Sequence, residues 1–209
     1  MKKKFVYCSG ALFDPEEIAA MSEIASVLEK SGYGTYLPHR DGLEAFVMNS
    51  VNSPVANLPV FWPLNRLVES AVFSLDIYQI IEICDYFVFN MNGRVPDEGG
   101  VVETAVAFAM GKPIIIYKND QRAPFNGFDS PLLLGASYTY SVVNKIQNIP
   151  SALDSLIQKM ESLGDFHYPL ANLPPRVKRA NDFGRKVWKF VQALQFLKPK
   201  NRLLKNAGY

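Results

Sequence analysis

"DYFVFNMNGRVPDEGGVVETAVAFAMGKPIIIYK" (Asp85 to Lys118) contains the unit on which the fold reading rests. "DYFVFNMN" reads as a strand, a helix runs from about Gly99 to Met110, Gly111-Lys112-Pro113 stops it, and "IIIYK" is a second strand. Both strand segments are near-continuous apolar runs, the pattern of parallel strands covered on two faces. The helix start is less ordinary. Asp97 and Glu98 lead through Gly99-Gly100 into an apolar run interrupted only by Glu103 and Thr104. One reading makes Asp97 or Glu98 a cap with Glu103 in the first turn, where the helix dipole favours acids by a few tenths to about 1 kcal/mol. The other makes them a catalytic site.

The same alternation extends in both directions. "KKFVYCSG" is a short buried strand ending at Ser9-Gly10. "DPEEIAAMSEIASVLEKSGY" has helix-start chemistry, with Asp14 as cap, Pro15 at the first position and acids in the first turn. Ile18, Met21, Ile24, Ala25 and Leu28 recur at helical spacing, and Gly32 closes the helix. "GTYLPHRDG" is a strand running into a loop. Residues 43–63 show no clear period and read as a functional insert, a lid. A helical pattern returns from Leu64 to Cys84. "SYTYSVV" reads as a fifth strand, and "PSALDSLIQKMESLG" as the helix after it. The expected fold is α/β: a doubly wound, flavodoxin-like sheet of five parallel strands with helices on both faces. In such sheets ligands sit outside the carboxyl ends of the strands.

Composition narrows the class. The 209 residues suffice for one sizeable domain, and 48% hydrophobic with 20% charged residues is ordinary for a globular chain. Cys8 and Cys84, the only cysteines, lie in apolar stretches, so no disulfide framework is expected and a reducing, cytoplasmic setting fits. No segment reaches the ~18 uninterrupted apolar residues of a membrane span. The net charge of +2 conceals an asymmetry. Residues 176–209 hold ten Lys/Arg and one acid, Asp182, whereas residues 1–175 hold 12 bases and 19 acids. The division expected is an α/β domain over 1–168 and a basic helical extension over 169–209. In that extension Val187, Phe190, Val191, Leu194 and Leu197 follow helical spacing, which favours an amphipathic helix packed on the acidic body or on another subunit. Trp188 among lysines is what a base-stacking nucleic-acid binder would also show, but nucleic acid is not the expected partner.

His39 and His167 pair with no ligand at metal-site spacing, and both G-x-G-x-x-G and the phosphate-loop pattern are absent, so no metal and no cofactor is expected. Cys8 reads as a buried strand residue. What remains is a set of carboxylates: Asp76, Asp85, Asp97, Glu98 and Glu103. Gly99-Gly100 permits close backbone approach to a ligand, and a helix start would keep Glu103 ionised. An ionised, positioned carboxylate can attack an anomeric carbon, as in retaining glycosidases.

In this order, "VYCSGALFDPEE", "YLPHRDG", "CDYFVFNMNGRVPDEGGVVETAVAFAMGKP" and "APFNG" resemble the nucleoside 2-deoxyribosyltransferase family over roughly residues 5–130. The most specific part is D-x-G-x-x-x-E followed by G-K-P. The resemblance implies Glu103 as nucleophile, Asp97 as an acid contacting the nucleobase, and Tyr7 as the hydroxyl that orients the nucleophile. It makes Asp76 the match for a second base-contacting acid and Asn126 the match for an asparagine lent by a neighbouring subunit to bind the sugar. Gly10, Phe13 and Gly99 complete the expected substrate-binding set. A homo-oligomer, at least a dimer, acting on a 2′-deoxynucleoside and a free nucleobase follows. Two departures stand out: Ala105 where the family usually has Gly, and a tail after about Tyr168 without counterpart, ending in Tyr209.

Two other functions compete. A hydrolase of deoxynucleoside 5′-monophosphates needs a phosphate cradle, and "SGALFDPEE" is apolar and then acidic, which repels a phosphate; Ser9 alone is a poor cradle. A non-catalytic nucleoside-sensing or nucleic-acid-binding module would rest on the basic tail.

Overall fold

The computed structural model describes residues 3–44, 62–123, 128–140, 142–164 and 170–197. Strand β1 (Phe5–Gly10) leads into helix α1 (Pro15–Lys30), and β2 (Gly34–Tyr36) follows. Helix α2 (Trp62–Tyr78) runs into one π-helical turn, Gln79–Ile83, before β3 (Tyr86–Asn90). Helix α3 (Glu98–Ala109), β4 (Ile114–Tyr117), α4 (Ile149–Leu163) and α5 (Pro175–Leu197) follow, and single helical turns stand at Pro38–Asp41, where a loop was expected, and at Pro131–Leu134. No described helix is long and apolar enough to cross a membrane.

The strands form a parallel sheet in the order β2-β1-β3-β4, with Tyr7 opposite Tyr36 on one side and Phe87 on the other. This is the expected flavodoxin-like order with one correction. The sheet has four strands among the described residues, not five. "SYTYSVV" contributes a single parallel bridge, Val143 to Tyr117, with Val143 N–H donating to Ile116 O at 2.8 Å and Lys118 N–H donating to Val143 O at 2.9 Å. The reason lies on either side of it. Tyr140 takes a left-handed turn at φ 53°, and a 3₁₀ turn begins at Ile146, leaving no room for a longer ladder.

Helix α1 starts as its sequence requires. Asp14 accepts from Glu17 N at 2.8 Å, Glu17 reaches back to Asp14 N, and Pro15 occupies the first turn. α1 and α4 cover one face, burying Val6, Cys8, Ile24, Leu28, Val88, Leu153 and Leu156 in one cluster. The π turn, α3 and α5 contribute to the opposite face, where Tyr7, Tyr36, Phe87, Phe89, Ile114 and Ile116 are buried. Helix α5 lies against α2 so closely that a Cβ on Gly184 would stand 1.8 Å from Ser74 O, which explains a glycine in mid-helix. Arg185 pairs with Glu82, and Asn181 donates to the same Glu82 oxygen at 2.5 Å. Val191 is buried, but Phe190 is 62% exposed although its spacing suggested the inner stripe. Trp188 sits edge-on to Tyr36 with centroids 6.0 Å apart, so its ring is engaged in packing.

Candidate functional site

The site forms where β1 ends beneath the start of α3. Tyr7 and Ser9 are two apart on β1 and therefore point to the same face of the sheet. The Tyr7 hydroxyl donates to Glu103 Oε1 at 2.7 Å, and the Ser9 hydroxyl donates to Glu103 Oε2 at 2.5 Å. Tyr7 is fully buried and stacked on Phe87 at 5.4 Å, so its hydroxyl is held on a rigid arm. The helix comes this near because of Gly100: a Cβ there would lie 2.3 Å from Phe89 Cε2 and 2.9 Å from Ser9 Oγ.

Asp97 is the N-cap of α3 and accepts from Gly100 N at 2.6 Å. The capping reading of Asp97 and its position beside Glu103 are thus both true. Two expectations about Glu103 change. Because the helix begins at Glu98, Glu103 stands in its second turn, out of reach of the free N–H groups. Nor does the helix start keep it ionised. Its carboxyl is raised to about 7: burial is the largest cause, the negative charges of Glu44 and Asp97 add to it, and the Ser9 and Tyr7 hydroxyls pull the other way.

Asp76, on the last turn of α2, is buried with Oδ1 unpartnered. Burial, then the charges of Glu44 and Glu103, holds it well above the usual carboxylate range and favours its protonated form. Glu44 is raised as well, by burial first, and its Oε2 is unpartnered and buried. Tyr36, 3% exposed, brings an unpartnered hydroxyl to the same corner: a Cβ on Gly42 would stand 2.6 Å from both Tyr36 Oη and Glu44 Oε2.

The structure thus brings together Tyr7, Glu103, Asp97 and Asp76. Gly10 lies beside them at the end of β1, where a Cβ would meet Asn90 Cβ and Met21 Sδ at 2.9 Å. Phe13 is 79% exposed on the loop after β1, and Gly99 is exposed, where an added Cβ would stand 3.2 Å from the capping Asp97 Oδ2. The glycine that close approach demands is Gly100, and what it approaches is the sheet rather than open space. Asp85 belongs elsewhere. It ties β3 to β1 at the other end of the sheet, accepting from Phe5 N at 3.0 Å and Lys4 Nζ at 2.8 Å. Asn126, Tyr209 and most of the expected lid lie outside the described residues. Ser9, Glu44 and Tyr36 are the residues that sequence reasoning missed. Only Ser9 carried a signal, its two-residue spacing from Tyr7.

No curated protein matches the chain. Among solved structures, a conserved protein from Enterococcus faecalis V583 is 17% identical with a TM-score of 0.50, covering 75% of this chain and 99% of its own. A 2-deoxyribosyltransferase from Bacillus psychrosaccharolyticus is 12% identical with a TM-score of 0.46, covering 71% of this chain and 95% of its own. The family model described as nucleoside 2-deoxyribosyltransferase matches residues 6–149, a span that contains Tyr7, Asp76, Asp97 and Glu103. The chain belongs to the nucleoside 2-deoxyribosyltransferase family.

Proposed function

We propose that this chain transfers the 2-deoxyribosyl group of a 2′-deoxynucleoside from one nucleobase to another through a covalent glycosyl-enzyme on Glu103. The observation that carries the reading is the grip of two buried hydroxyls on a carboxylate at the carboxyl end of the sheet. A Glu103 oxygen forms a bond to C1′ while the C1′–N bond breaks with its electron pair passing to the base. Asp76, whose protonated form burial favours, supplies a proton to the departing base. Asp97 contacts the base through the oxygen its cap bond leaves free. A second base then attacks C1′ while its N–H proton passes to the Asp76 carboxylate, the ester pair returns to Glu103, and two displacements restore the original configuration. Water competes with that base and gives slow hydrolysis. Asn126 from a neighbouring copy binds the sugar, so the active form is an oligomer. Light scattering on the active enzyme checks this; a fully active monomer refutes it.

Hydrolysis of 5′-monophosphates is less well supported. The helix terminus nearest β1 is already capped by Asp14 and carries Glu16 and Glu17 in its first turn, leaving an anion no welcome there. The deciding experiment incubates the protein with a deoxynucleoside and a different free base. Appearance of the exchanged nucleoside supports transfer. Faster release of base from the 5′-monophosphate overturns it.

A further inference from the structure

We propose that Ser9 is a second positioning residue for the nucleophile: with Tyr7 it grips both oxygens of Glu103 and fixes the plane in which the carboxylate attacks and leaves. The terminal torsion of a glutamate is broad when only one oxygen is held. Tyr7 alone, 2.7 Å from Oε1, leaves that rotation open; Ser9, 2.5 Å from Oε2, closes it. Ser9 is 1% exposed, and burying a hydroxyl is unfavourable unless it is bonded, so its place opposite Glu103 is a specific one. The glycine at 100 points the same way, since any side chain there would press on Ser9 Oγ and Phe89.

The inference rests on the proposed deoxyribosyl transfer and adds a chemical consequence. In the glycosyl ester, the oxygen not bonded to C1′ is a carbonyl, a weaker acceptor than a carboxylate. When the C1′–O bond breaks, its electron pair returns to Glu103 and the hydrogen bonds regain their charge-assisted strength. Ser9 therefore favours the carboxylate both as poised nucleophile and as departing group. The groups facing Glu103 are Tyr7 from β1, Asp76 from α2, Asp97 from the start of α3 and Glu44 from the segment after β2. All remain when Ser9 is changed.

The test uses Ser9→Ala and Ser9→Gly in the full chain, each checked for an unchanged circular dichroism spectrum. Losing a hydrogen bond to a charged group lowers kcat at pH 7 by about 10-fold or more, with KM within about 2-fold. With one donor gone Glu103 ionises at higher pH, so the acid limb of the kcat/KM profile moves up and the deficit narrows towards pH 9. A second readout needs no substrate. Infrared titration of the Glu103 carboxyl, by difference against Glu103→Gln, shows a midpoint near the wild-type value of about 7 that moves upward in both Ser9 variants. Unchanged kcat and an unmoved carboxyl titration in both variants overturn the proposal, as does a rise in KM alone. If the wild type exchanges no deoxynucleoside while the infrared midpoint still moves, the transfer reading fails and the hold of Ser9 on Glu103 stands.

Discussion

Val6 and Cys8 of β1 face α1 and α4, among Ile24, Leu28, Leu153 and Leu156, while Tyr7 and Ser9, alternating with them, face the start of α3. On the first face the described residues form an apolar core in which Tyr86 and Tyr117 join the aliphatic side chains. The second is apolar only in its centre. At its carboxyl end it holds Glu103 between two hydroxyls, with Asp76 Oδ1 and Tyr36 Oη buried and unpartnered. Burying unbonded polar groups is costly, so that face is stabilised by its packing and destabilised by its chemistry. The apolar face compensates. One strand of six residues serves both sides because its side chains alternate, and changes on the two sides should therefore have opposite signatures.

The largest expected effect is on the polar face. Glu103→Gln keeps the shape and removes the proposed nucleophile, and turnover should fall by at least about 1,000-fold. Mass spectrometry of wild type incubated with a deoxynucleoside alone should find a deoxyribosyl adduct on the peptide containing Glu103, absent from the variant. An adduct elsewhere, or an active variant, breaks the assignment.

Next comes discrimination by the sugar. Tyr7 is fully buried and its hydroxyl lies 2.7 Å from the carboxylate, so it crowds the space a 2′-hydroxyl would need. kcat/KM for deoxyadenosine should exceed that for adenosine by about 100-fold. Equal values would place the sugar away from Tyr7.

The apolar face should behave in the reverse sense. Leu28→Ala opens a cavity in a fully buried site and costs about 2–5 kcal/mol in denaturant unfolding. Turnover per folded molecule stays at the wild-type value. A loss of kcat at full folding would mean that the two faces are coupled through β1.

Much of this contrast was legible in the residues. The solid apolar strands, the Asp14-Pro15 helix start and the seven-residue span from Asp97 to Glu103 are local signals, and the structure contains each. What escaped depends on tertiary context. "SYTYSVV" has strand-like alternation, but Tyr140 turns left-handed and the ladder stops at one bridge. The π turn after Tyr78 has no periodic signature, yet it sets where α2 ends. Ser9 is one small polar residue at a strand end until α3 is seen above it. Burial of Asp76 is equally invisible from a helical pattern.

The smallest effect is the most diagnostic of the polar face. Glu103 ionises at about 7 in the folded protein, raised from 4.5 chiefly by burial. A carboxyl raised on folding binds its proton more tightly in the native state than in the unfolded one. Its contribution is therefore fully present below about 4.5 and is lost as pH rises to about 7, beyond which the difference levels off. Glu103→Gln carries no such proton. Relative to the variant, wild type should lose stability between pH 4.5 and 7 and run parallel to it above. Subtracting the two unfolding curves cancels Asp76 and Glu44, except that their own midpoints shift down once the charge of Glu103 is gone. Unfolding free energies at half-unit pH steps supply the check. A difference curve that is flat across this window would mean that Glu103 is solvated like a surface acid and that the polar face is not strained by it. A curve rising with pH would mean that the hydroxyls of Tyr7 and Ser9 outweigh burial, and the carboxylate would then be stabilised by the fold rather than held in it at a cost.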